Sequence, residues 1–181
     1  ARLSLRLGEW MICNAPHKTI AVSKILRNLI KNKFDREALY IPNGSNVERV
    51  SGSERLDKWG LEKEGYILSV SRLIRHKGIH YLIKAFLDLE KNGQTQDKKL
   101  VIVGDGFHTD EYVSNLKQLA RKSENIIFTG NLTGEDLRQI FSHAYLFVQP
   151  SETEGLSIAL LEALSYEIPV LVSDIPENLE A

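Results

Sequence analysis

The sequence is poor in the groups that make special chemistry obvious. It has one cysteine, one methionine and two tryptophans in 181 residues. Cys13 can close no internal disulfide, and a lone thiol builds no zinc site. A reducing compartment is expected. No apolar run approaches the roughly 20 residues needed to span a bilayer, and no signal peptide is evident. Lys plus Arg is 23 and Asp plus Glu is 24, a net charge of −1, so charge gives no reason to invoke nucleic acid. There is no Asp-x-Asp pair to carry a metal, no Walker lysine and no Gly-x-Ser-x-Gly elbow. Gly104 and Gly106 follow a strand-like run, but the third small residue of a dinucleotide fingerprint is replaced by Thr109, which excludes NAD. The histidines (His17, His76, His80, His108, His143) are scattered. Only His76 and His80 stand at i, i+4, and they straddle a loop–helix boundary, so no metal site is expected.

What remains is an ordinary globular composition, 43% hydrophobic and 26% charged. From residue 66 onward, apolar runs of strand length (66–70, 100–103, 126–129, 145–149, 170–173) alternate with helical patterns (79–91, 109–122, 133–143, 156–166). Continuous apolar runs suit strands buried on both faces. Ile79, Leu82, Ile83, Phe86 and Leu87 form one helical stripe with Glu90 at its edge. Thr133 and Asp136 suggest a capping box. The alternation predicts an α/β, Rossmann-like parallel sheet with helices on both faces, with ligands at the carboxyl ends of the strands. Earlier, helices are expected over 2–13 and 23–33 with a strand over 19–22. Pro42-Asn43-Gly44 is a turn, and a linker is placed near 43–53. Two domains are expected, 1–45 and 46–181. Residues 1–37 hold eight cations (Arg2, Arg6, Lys18, Lys24, Arg27, Lys31, Lys33, Arg36) against Glu9, Asp35 and Glu37. That surface suits either a solvated helix face or peripheral contact with an anionic membrane.

Chemistry concentrates in Pro150–Ala163. Glu154 and Glu162 stand eight residues apart, and Gly155 follows the first. If Gly155 opens a buried helix, its first amides and dipole attract a phosphate. Eight residues then put Glu162 about 12 Å along the axis, roughly the span from a sugar across a diphosphate to a ribose. Glu154 would repel phosphate and is better used to accept sugar hydroxyls. The plainer alternative makes Glu154 a helix N-terminal acid and Glu162 a solvated residue. A second element, Ser71-Arg72 to Lys77-Gly78, leaves a strand and enters a helix. Arg72 and Lys77 could reach a diphosphate and stabilise its departure. With no metal motif, protein cations must neutralise it. Gly104 and Gly106 would permit a tight turn at the same edge.

These segments resemble the nucleotide-sugar-dependent, retaining glycosyltransferases of group one, which have the GT-B fold. The matching pieces are Ala21-Val22-Ser23, Ile41-Pro42-Asn43-Gly44, Ser71-Arg72 with Lys77-Gly78, Val103-Gly104-Asp105-Gly106, Phe128-Thr129-Gly130-Asn131-Leu132, Pro150-Ser151 to Glu154, Glu162-Ala163 and Pro169-Val170. The resemblance implies a nucleotide-diphosphate sugar as donor, with no cofactor and no metal. By position, Arg72 and Lys77 would contact the diphosphate and Glu154 the transferred sugar. Gly155 and the amides near Leu156 and Ser157 would meet phosphate, Glu162 the ribose, and Leu132 the base, with Gly104 at the same edge. It further implies front-face attack with retention, in polysaccharide, lipopolysaccharide or glycolipid synthesis, in the cytoplasm or at the inner face of the membrane. Three positions depart from the family pattern: Leu156-Ser157 stands for Phe-Gly, Ser71 for a common Gly, and Tyr166-Glu167-Ile168 lacks the usual Gly. The chain starts without Met and stops after a strand-like run. It is therefore expected to be mainly a truncated donor-binding domain, with the acceptor sugar or lipid-linked sugar held by a missing domain. Alternatives are a non-catalytic nucleotide-sugar-binding module and an epimerase of the same architecture.

Overall fold

A computed structural model describes residues 2–106 and 109–181. His108, one of the scattered histidines, lies outside the described residues. The chain divides into two compact units.

The smaller unit comprises Ala1–Gly44, Glu154–Ile158 and Asp174–Ala181. It contains α1 (Arg2–Asn14), β1 (Thr19–Ala21), α2 (Lys24–Phe34) and β2 (Ala38–Tyr40). β1 and β2 pair in parallel, Thr19 opposite Ala38. Three residues of β2 are too few to show a period, so the pairing itself defines this strand. Ser23 is buried and caps α2, its Oγ accepting from Leu26 N at 3.1 Å. The Glu180 carboxylate accepts from Lys24 N at 2.6 Å, filling a second orphan donor. Glu180 follows a short helix, Pro176–Leu179, which no periodicity announced.

The larger unit comprises Ser45–Thr153 and Ala159–Ser173. Its five strands are β3 (Tyr66–Val70), β4 (Lys99–Val103), β5 (Ile126–Gly130), β6 (Leu146–Gln149) and β7 (Val170–Val172). All pair in parallel in the order β5-β4-β3-β6-β7. The expected helices appear as α3 (Ile79–Lys91), α4 (Asp110–Ala120), α5 (Gly134–Ser142) and α6 (Ile158–Ser165). The α3 stripe buries Ile79, Leu82, Ile83 and Phe86. Two cores form. One gathers Leu68, Phe141, Phe147, Leu160 and Tyr166, the other Ile83, Phe86, Leu100, Ile102 and Leu116. Tyr66 is buried and its hydroxyl donates to Ile140 O at 2.7 Å.

Four expectations change. α6 begins at Ile158, so residues 151–157 are loop and Gly155 opens no helix. The 12 Å estimate therefore does not apply. The apolar run gave no signal because Leu156 is buried while still in the loop. α6 is also not buried all round: Ile158 and Leu164 are exposed. β7 is an edge strand, and Leu171 is exposed. Thr133 is the N-cap of α5 but makes no side-chain cap bond. Asp136 is drawn instead to Lys58 Nζ, 2.7 Å away, and Arg55 Nε at 3.6 Å. The linker expected near 43–53 contains the boundary between the two units, after Gly44, and the residues beyond it are docked on the larger unit. Val50 N donates to Ser142 Oγ, Arg55 N donates to Gln139 Oε1, and His143 Nε2 bonds Gly52 O.

Candidate active site

The strand order reverses between β3 and β6, and open parallel sheets bind ligands at the carboxyl side of such a point. The loop after β3, residues 71–78, is held between the loops after β4 and β6. Ser71 N donates to Val103 O at 3.0 Å, and Leu73 N donates to Asp105 O at 2.9 Å. Thr109 Oγ1 donates to Leu73 O at 2.9 Å. Gly104 has φ +131, and a Cβ there would stand 1.9 Å from Ser71 O. Gly78 has φ +70, and a Cβ there would stand 2.0 Å from Pro150 O. Both must be glycine because backbone lies where a side chain would go. The Gly104 amide already donates to Gly130 O at 2.9 Å, so Gly104 serves the packing of these loops.

This locked loop carries Arg72, exposed, and Lys77, half-buried at the end of a single 3-10 turn (Arg75–Lys77). Ser71 and Ser151, just beyond β3 and β6, have buried hydroxyls with no hydrogen-bond partner among the described residues. Leaving such a group unpaired costs about 1–3 kcal/mol. The crevice is thus rich in donors and cations.

Glu162 sits on α6 and is half-buried. It lines a cavity of about 350 Å³ with Gly134, Arg138, Tyr166, Asn46 and Glu48. Burial raises its carboxyl above the usual carboxylate range. The Tyr166 ring stacks on buried Phe141, with centroids 5.2 Å apart, and stiffens that wall. Leu132 follows β5 and packs against the core, while Gly134, two residues on, lines the cavity. Asn46, Glu48 and Arg138 were not anticipated. They are polar residues in a loop and on a helix face, where only tertiary docking reveals a role.

In the smaller unit, Glu154 is half-buried, and Leu156 and Ser157 are buried. Asn43 Nδ2 donates to Leu156 O at 2.9 Å, so the Pro42-Asn43-Gly44 segment, expected as a turn but without regular turn structure, steadies this stretch. A Cβ on Gly155 would meet only Leu26 and Val22, at 3.7 and 3.8 Å. Among the described residues nothing requires glycine there.

A family model described as "Glycosyl transferases group 1" matches residues 53–181. The chain belongs to this family. Among group 1 relatives, it is 30% identical over 162 residues to the putative teichuronic acid biosynthesis glycosyltransferase TuaC of Bacillus subtilis, covering 86% of this chain and 38% of that protein. It is 35% identical over 118 residues to the O-antigen chain mannosyltransferase RfbU of Salmonella typhimurium, covering 64% and 31%. The chain thus spans roughly a third of the length of these relatives. Its fold is that of HepE from Anabaena, crystallised with UDP and glucose: TM-score 0.84 at 21% identity, covering 99% of this chain and 50% of HepE. The GT-B architecture is shared with the lipopolysaccharide glycosyltransferase WaaG, at TM-score 0.71 and 20% identity, covering 87% and 44%. Among the described residues no helix is long and apolar enough to cross a membrane.

Proposed function

We propose that this group 1 glycosyltransferase chain binds a nucleotide-diphosphate sugar and that the whole protein transfers the sugar to an acceptor hydroxyl with retention. The observation that carries this reading is the β3–α3 loop, which bears the cations Arg72 and Lys77 and whose backbone is packed at the switch point of the sheet through two glycines that tolerate no side chain. A diphosphate there gains charge-assisted hydrogen bonds from both. Glu162, lining its own cavity, suits the ribose hydroxyls, which donate to a carboxylate. Glu154 takes the sugar hydroxyls, and the amides near Gly155, Leu156 and Ser157 take phosphate.

In the transfer step the bond from the anomeric carbon to the phosphate oxygen breaks. A bond to the acceptor oxygen forms on the same face, and the acceptor proton passes to the departing phosphate. Arg72 and Lys77 stabilise the negative charge that grows on that phosphate. The reading needs no metal and no cofactor. The whole protein would supply the acceptor site for a sugar or lipid-linked sugar, so the 181 residues alone are expected to bind nucleotide without turnover.

Titration of the protein with UDP, GDP, ADP and their sugars tests the site. Arg72→Ala and Glu162→Ala should each weaken the preferred ligand about tenfold or more. Unchanged affinity for every ligand in both variants would refute the assignment.

A further inference from the structure

Within the larger unit, the start of the loop after β6 is tied to the loop that carries Arg72 and Lys77 at Pro150 and Glu152. Glu152 N donates to His76 O at 2.7 Å. Tyr81 Oη donates to Glu152 Oε1 at 2.8 Å. Pro150 O lies against the bare Cα of Gly78. Glu152 is therefore gripped at both its backbone and its side chain, two residues before Glu154. Tyr81 is itself braced: its ring lies 3.9 Å from that of His80 between centroids, and His80 Nδ1 shares a 2.9 Å hydrogen bond with Tyr112 Oη. The carboxylate in turn raises the Tyr81 phenol above its usual range, the hydrogen bond being the largest cause. The chain of contacts runs from α4 through α3 to Glu152.

We infer that Tyr81 and Glu152 are positioning residues that fasten the start of the loop after β6, residues 150–153, to the cation-bearing loop after β3, and that binding of the donor's sugar end depends on this fastening. This rests on the donor-binding reading above. Neither residue touches the donor. Their loss should loosen the sugar end while leaving the nucleotide end, held by Arg72 and Glu162, nearly as before. Glutamine keeps an acceptor oxygen for Tyr81, and alanine does not.

The test compares affinity for the preferred sugar nucleotide with affinity for the same nucleotide without sugar. Tyr81→Phe and Glu152→Ala should each weaken the sugar nucleotide about two- to tenfold. The plain nucleotide should change less than about twofold. The double variant should be no worse than either single one, because both break the same contact. Glu152→Gln should stay close to the starting affinity. Equal weakening of both ligands, additive losses in the double variant, or an unchanged ratio would each overturn the inference. If Arg72→Ala and Glu162→Ala bind every nucleotide as well as the starting protein does, the donor-site reading fails instead. The two failures are therefore distinguishable.

Discussion

The loops that follow β3 and β6 are built on opposite principles. The first is jammed: at Gly104 and Gly78 the carbonyls of Ser71 and Pro150 fill the space of a Cβ, and both φ values are positive. The second carries Gly155 with ordinary van der Waals room for a methyl group. In the reading proposed above, the packed backbone of the first would present Arg72 and Lys77 with little ordering left to do on binding. In the second, the missing side chain serves no need of the protein's own packing, so the open face of Gly155 is left for whatever binds.

Three substitutions would break or sharpen that contrast. Gly104→Ala forces backbone apart and should cost about 3 kcal/mol or more, read by urea unfolding. A loss under about 1 kcal/mol would mean the loop is not jammed. Glu167 is the informative intermediate. It ends α6 at φ +58, with Glu167 N donating to Leu164 O and Ile168 N to Ala163 O. This is a Schellman end with a non-glycine residue in the left-handed position. Glu167→Gly should stabilise by about 0.5–1 kcal/mol, the relief of the left-handed cost less the extra chain entropy of glycine. A drop in Tm would show that its 3.9 Å contact with Arg49 matters more. Gly155→Ala should change stability by less than about 0.5 kcal/mol and yet lower sugar-nucleotide affinity. A large loss of stability would place its requirement in the fold, and unchanged affinity would remove it from the site.

Legibility followed the same division. All five strands of the larger unit stand in the sequence as apolar runs, as strands covered on both faces need no polar alternation; the exposed edge strand β7 shows that the run alone does not reveal which strand is uncovered. α3 matches its stripe from end to end, since one face is core and the other water. The start of α6 did not show, because Leu156 is as apolar and as buried as a helical residue but belongs to the loop. The cap of α5 was read correctly as a position and wrongly as a bond: Thr133 makes no side-chain cap bond, and the Asp136 carboxylate, which a capping box would turn back to the Thr133 amide, pairs instead with Lys58, 78 residues away. Arg72, Lys77 and Glu162 stood out from local pattern as candidates. The cavity partners Asn46, Glu48 and Arg138 did not, since their meeting depends on how residues 45–55 dock onto α5.

By itself the sequence determined the strands of the larger unit, most of the helices and the cations, acids and glycines available for chemistry, because periodicity and residue type are local properties. Only the tertiary structure decided which glycines are obligatory and which acid is desolvated beside a cavity. Those depend on which backbone or side chain arrives from a distant part of the chain to fill the space.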